Sequence, residues 1–152
     1  MLKWVTRTVA VSGGNIVAAS WPEIRAQTGV SAVVNLRAEQ EDHFLPPLPE
    51  AYLWLPVEDY MNPSLPQLLL GAQFVETAVR AGHKVLIHCR MGLGRSRTLA
   101  SAYLIWTGRS VDEAILQVEG TLKPEYAPER RIVLERFAAL LEQERNSKAV
   151  AV

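Results

Sequence analysis

Cysteine is almost absent from this chain: one thiol, Cys89, stands among 152 residues. A single thiol excludes an intramolecular disulfide and a cysteine-rich metal site built within one chain. Net charge is missing too. Sixteen basic and sixteen acidic residues cancel, so no broad basic field argues for nucleic acid or a membrane surface, and any anion site has to be local. No apolar run approaches the ~18 residues of a membrane span. The opening Met-Leu-Lys-Trp-Val-Thr-Arg lacks the apolar stretch of a signal peptide. Internal repeats and low-complexity linkers are lacking as well. These absences set the expectation of a soluble, cytoplasmic monomer, with which a lone reduced cysteine agrees.

What is present is ordinary globular material, 49% apolar and 21% charged, in a length suited to one domain with a real core. That domain is expected over residues 1–145, with a flexible tail over 146–152. Strand and helix signals alternate. Ser12-Gly13-Gly14-Asn15 reads as the turn of a hairpin between strands at 9–11 and 15–18. Ser20, Ser64 and Ser110 each stand three residues before Glu23, Gln67 and Glu113, the spacing of a capping box. They open expected helices over 21–28, 65–80 and 111–118. Short β-branched or apolar runs at 32–36, 52–57 and 84–88 read as buried strands. The segment 39–49 between the first two is a loop with at most one helical turn. An apolar helix over 96–106 follows the last strand. A further helix is expected from Pro128 to about Glu144, with Ile132, Val133, Leu134, Phe137, Leu140 and Leu141 as its apolar stripe. The alternation predicts an α/β domain: a central, mostly parallel sheet of four to five strands with helices on both faces. Ligands of such sheets bind beyond the carboxyl ends of the strands, where both Cys89 and Asp59 are expected.

Taken alone, a lone cysteine is more often a small buried hydrophobe. Its neighbours say otherwise. In His88-Cys89-Arg90-Met91-Gly92-Leu93-Gly94-Arg95-Ser96, a strand ends, a loop turns and a helix begins. Backbone N–H groups from Arg90 through Met91, Gly92, Leu93 and Gly94 to Arg95 can curl into an anion nest over the helix N-terminus. Gly92 and Gly94 supply the freedom such a curl requires. The same donors and the helix dipole stabilise a thiolate at Cys89, whose ordinary pKa near ~8.5 falls in such surroundings. Arg95 offers a planar fork for two phosphate oxygens, strongest in the transition state. Ser96 is placed to hydrogen-bond the sulfur, and Thr98 to hold the loop. A thiolate needs no base, so His88 is assigned a structural role, its ring bonding backbone near the loop. What the loop lacks is a proton donor for a leaving alcohol. Asp59 is the candidate, against the plainer reading of a solvated loop aspartate; Glu58 comes second and Asp42 third.

His88-Cys89-x5-Arg95-Ser96 between a buried strand and an apolar helix resembles the motif of the protein tyrosine phosphatase superfamily. The chain's size, together with Val33-Val34-Asn35-Leu36 and Leu55-Pro56-Val57-Glu58-Asp59 followed by Asn62-Pro63-Ser64, is similar to the compact dual-specificity group of prokaryotic and archaeal type. The resemblance covers about residues 5–141. It implies Cys89 as nucleophile forming a phosphocysteine, Arg95 as phosphate clamp, and Asp59 as general acid and then base. It implies no metal and no cofactor. The implied substrates are phosphotyrosine and also phosphoserine or phosphothreonine in proteins.

Departures narrow this. No long tyrosine-recognition loop precedes the first strand, and no water-positioning Gln follows Pro124. Met91 and Leu93 leave Arg90 as the only basic residue between Cys89 and Arg95, which argues against a highly charged lipid headgroup. Arg90 faces either the substrate rim or solvent. The alternatives are the same chemistry on a nucleotide, RNA end, sugar or lipid phosphate, a catalytically silent phosphate-binding module, and a rhodanese-type sulfurtransferase, in which Arg95-Ser96 and Asp59 have no task.

Overall fold

β5 (Lys84–Cys89) is the centre of the molecule, and its sequence explains why. Val85, Leu86 and Ile87 are fully buried, so both faces of this strand need cover, as in a sheet flanked by helices. In the computed structural model, which describes residues 2–14, 17–125 and 129–151, five strands form one sheet. They are β1 (Lys3–Trp4), β2 (Val9–Gly13), β3 (Val30–Arg37), β4 (Ala51–Val57) and β5, in the order β1-β2-β5-β3-β4. Only the edge strand β1 is antiparallel; the other pairs are parallel. The expected α/β architecture with a mostly parallel sheet is therefore present.

Five helices complete it: α1 (Trp21–Thr28), α2 (Leu65–Arg80), α3 (Arg95–Trp106), α4 (Val111–Glu119) and α5 (Arg130–Ala151). Side chains alternate across β5 with period two. Leu86 packs with Trp21, Val30 and Val33 on the α1 face. Val85, Ile87 and Cys89 pack with α2, α3, α4 and α5 on the other. α3 is the core of that helical layer, its residues Leu99, Ala100 and Ala102 fully buried. Because β2, β3, β4 and β5 run in one direction, Gly13, Arg37, Val57 and Cys89 end along a single rim. The loops after β4 and β5 rise from that rim together.

Several local expectations change. β2 continues through Ser12 and Gly13 and pairs antiparallel with the preceding β1, so the turn read at 12–15 is strand up to Gly13. Parallel pairing of Gly13 with Cys89 wins over the turn chemistry of the glycine pair. Asn15 and Ile16, part of the expected second strand, lie outside the described residues, as does Pro128. Ser64 and Ser110 close complete capping boxes, whereas the Ser20 side chain makes no cap bond, its backbone lying at φ −100, ψ 12 instead of the extended conformation of the other two. The 39–49 segment holds bends and no helical turn. α5 continues to Ala151, past the expected end at Glu144 and through most of the expected flexible tail. Leu134, Phe137 and Leu141 carry its buried stripe, and Ile132 faces solvent.

Candidate active site

Cys89 is the last residue of β5 and Arg95 the first of α3, so the 90–94 loop is tethered at both ends by buried elements. α3 has no side-chain cap at its N-terminus. Its first N–H groups are left for the loop and for whatever the loop binds. Gly92 turns the chain at φ +76, tight against β2; a Cβ there would lie 2.5 Å from the Ser12 carbonyl carbon and 2.6 Å from the Gly13 nitrogen. Gly94 differs from the expectation, with open space where a Cβ would go and φ −115.

The Cys89 sulfur lies 3.2 Å from Ser96 Oγ, and both residues are buried. Burial acts to raise the thiol pKa, but the Ser96 hydroxyl and the backbone N–H groups of Ser96, Gly92 and Gly94 outweigh it, so the thiol lies below its ordinary range. The fall is what a ring of donors around a sulfur produces, because each bond favours the charged form. Arg95 is 3% exposed. It donates through Nη1 and Nη2 to the Glu39 carboxylate at 2.7 and 2.9 Å, and through Nη1 to the Val57 carbonyl at 2.6 Å. Its Nε makes no hydrogen bond among the described residues, which leaves that donor for an oxyanion. The Arg95 bond, opposed by burial, holds the Glu39 carboxyl down at about 2.

Asp59 stands on the loop after β4. Its Oδ2 accepts from Arg90 Nε at 2.7 Å and its Oδ1 lies 3.4 Å from Arg95 Nη2. Arg90, left open between substrate rim and solvent, thus reaches across to the acid candidate, and it also approaches the Tyr60 hydroxyl at 3.4 Å. A cleft of about 700 Å³ is lined by Asp59, Met61, Cys89, Arg90, Met91 and Arg95, among others. Glu58 instead borders a neighbouring depression with Glu39 and Arg90. Met61 and Met91 are largely exposed, which gives the cleft an apolar rim over a cationic floor.

His88 and Asp42 need correction. Among the described residues His88 bonds no backbone group; its Nε2 lies 2.5 Å from Asp42 Oδ2, and Asp42 Oδ1 accepts from Arg37 Nη2 at 2.7 Å. All three are buried on the opposite side of the sheet from the Cys89 side chain. A Cβ at Gly14 would collide with His88 Nδ1, so the chain there closes over the ring. Asp42 is removed from the acid candidates by this pairing. Thr98 does hold the loop: its Oγ1 donates to the Gly94 carbonyl at 3.2 Å. Sequence reasoning missed Glu39, which lies 56 positions from its partner Arg95, and also Glu119 and Arg130 behind the loop. No local pattern announces any of them. The described residues contain no group of side chains suited to hold a metal ion.

A buried thiol ringed by N–H donors, an arginine fork and a facing carboxylate define a site for nucleophilic attack on an anionic ester. Comparison with known proteins gives the same class. The family model described as dual specificity phosphatase, catalytic domain, matches residues 14–143, and the chain belongs to that family. Mouse dual specificity protein phosphatase 2 is 33% identical over 107 residues, 65% of this chain and 32% of the relative. Human dual specificity protein phosphatase 1 is 32% identical over 103 residues, 66% of this chain and 28% of the relative. The chain thus spans about a third or less of the length of these curated relatives. Among solved structures, Tk-PTP in its active form superposes with a TM-score of 0.74 at 31% identity, covering 91% of this chain and 96% of that one. Human DUSP28 gives a TM-score of 0.77 at 27% identity, covering 95% of this chain and 99% of that one.

Proposed function

We propose that this chain is a cysteine-dependent phosphatase acting on phosphotyrosine, and on phosphoserine and phosphothreonine, in proteins. The observation that carries the reading is the Cys89 sulfur, held by the Ser96 hydroxyl and three backbone N–H groups at the head of the loop that ends in the buried Arg95. In this reading the thiolate attacks phosphorus, a P–S bond forms and the ester P–O bond breaks. The three phosphoryl oxygens spread into the loop N–H groups and the Arg95 fork, where developing charge is stabilised most. Asp59 gives its proton to the departing alcohol oxygen. It then takes a proton from water, which attacks phosphorus and expels the sulfur, with the Ser96 hydroxyl stabilising the leaving thiolate. Inorganic phosphate is released and Asp59 is again protonated.

The protein-substrate reading rests on the cleft. Its rim is apolar at Met61 and Met91, and its one loop cation, Arg90, is already paired with Asp59. That suits a single phosphate on an amphipathic side chain more than a cluster of phosphates. A panel of phosphopeptides against nucleotide, sugar and inositol phosphates tests it. We expect the phosphopeptides to be turned over best, and turnover of small phosphates alone would overturn the protein-substrate reading. Cys89→Ser is expected to abolish turnover while retaining tungstate binding, measured by calorimetry.

A further inference from the structure

The carbonyl side of the 90–94 loop is held by charged groups that the chemistry above does not use. Arg97 of α3 donates through Nε to the Gly92 carbonyl at 2.9 Å and through Nη1 to Glu119 Oε2 at 2.8 Å. Arg130, opening α5, donates through Nη2 to the Leu93 carbonyl at 2.8 Å and approaches the Gly94 carbonyl at 3.4 Å. Its Nη1 pairs with Glu119 Oε1. Glu119, at the end of α4, thus joins two guanidinium groups that hold successive carbonyls of the loop. The side chains of Glu119 and Arg130 are 5% and 1% exposed.

The peptide unit is planar and trans, so a carbonyl and the N–H of the next residue point in opposite directions. Drawing the Gly92, Leu93 and Gly94 carbonyls back turns the N–H groups of Leu93, Gly94 and Arg95 forward. Gly94 N–H is among the donors that reach the Cys89 sulfur. The Arg130 bond to the Leu93 carbonyl therefore fixes the same peptide plane that solvates the thiolate. Stability alone accounts poorly for this cluster, because apolar residues of similar volume often serve a core as well as buried ion pairs do. The cost is visible at Arg130, whose pKa is pushed down to about 10, chiefly by burial and then by Arg97.

We propose that Arg97, Glu119 and Arg130 are positioning residues: one clamp, contributed by α3, α4 and α5, that aims the loop N–H groups at the thiolate and the bound oxyanion. This rests on the reading of Cys89 as an ionised nucleophile. Charge and orientation make opposite demands, which gives the clamp a test. The charged groups around Cys89 are Arg95 with Glu39, Arg90 with Asp59, Arg97 and Arg130 with Glu119, Glu129 at the cleft wall, and the Arg37–Asp42–His88 set across the sheet. Glu119→Gln removes a negative charge, so Coulomb's law alone lowers the thiol pKa, whereas disorder in the clamp raises it. Arg130→Lys keeps the charge and loses the fork.

The experiment is the pH dependence of iodoacetamide alkylation of Cys89, the only thiol in the chain, with tungstate affinity by calorimetry and melting temperature alongside. In both variants we expect the alkylation midpoint to move up and tungstate binding to weaken about tenfold or more, as for lost bonds to a charged group. A midpoint that stays or moves down in Glu119→Gln, in protein that melts cooperatively, overturns the clamp. If Glu119→Gln does not fold, an unshifted midpoint with unchanged tungstate affinity in Arg130→Lys does so. A wild-type midpoint at the ordinary ~8.5, with no tungstate binding, instead overturns the ionised-nucleophile reading beneath it.

Discussion

At Cys89, burial and hydrogen bonding pull the thiol in opposite directions, and hydrogen bonding wins. The lowered thiol pKa is therefore owed first to the Ser96 hydroxyl and then to the backbone N–H groups that the loop geometry turns inward. On the proposed mechanism, Asp59→Asn leaves the nucleophile intact and removes the proton donor. Its kcat should fall about 10²–10⁴-fold on phosphopeptides and less on esters whose leaving groups need no proton. In a pH–rate profile the acidic limb, set by Cys89, should lie below the ordinary thiol range, and the basic limb should vanish in the variant. Retention of that limb would contradict the assignment of Asp59. The pairing of Cys89, Arg95 and Ser96 was legible in the sequence because one short, continuous segment carries it. Glu39 was not, because its task comes only from the fold bringing the loop after β3 to the start of α3. The partner of His88, Asp42, lies 46 positions away, and no local spacing could name it.

The elements that set the rim are those with the clearest local chemistry. β5 was readable from its uninterrupted apolar run, and α2 and α4 from their capping boxes. At β2 two local rules compete: Ser12-Gly13-Gly14 is good turn chemistry, but Gly13 is required by the close approach of the 90–94 loop. One interface between elements makes a sharp prediction. At Gly71, α2 passes so close to α3 that a Cβ would lie 2.5 Å from Leu99 Cδ1 and 3.2 Å from Leu55 Cδ1. Gly71→Ala forces Leu99 from its place in the fully buried face of α3. Against the helix-propensity gain of an alanine, overpacking should prevail and destabilise the fold by about 1–3 kcal/mol in urea unfolding. A neutral or stabilised variant would show that α2 and α3 can part there.

Charge cancels across the whole molecule, yet several buried or half-buried charged groups meet at one rim. Arg90, Arg95, Arg97 and Arg130 all lie in or behind the loop, met by Asp59, Glu39 and Glu119. Acid should therefore loosen the site only at low pH. Glu39 is held at about 2 in the folded chain against an ordinary 4.5, so its contribution to stability is fully present above about 4.5 and is lost as pH falls towards about 2. Urea midpoints of wild type and Glu39→Gln should differ at pH 6 and converge near pH 2; a constant difference would contradict the Glu39–Arg95 linkage. Among the described residues no helix is long and apolar enough to cross a membrane, and the cleft opens at one end of the sheet. In the proposed mechanism phosphate passes through the Cys89 sulfur. The direct measurement is acid quenching of enzyme turning over a phosphotyrosine peptide, followed by peptide mass spectrometry. A phosphoryl group is expected on the peptide containing Cys89, accumulating in Asp59→Asn relative to its turnover and absent from Cys89→Ser. Turnover with no covalent phosphate on Cys89 in either the wild type or Asp59→Asn, or undiminished turnover by Cys89→Ser, would contradict it.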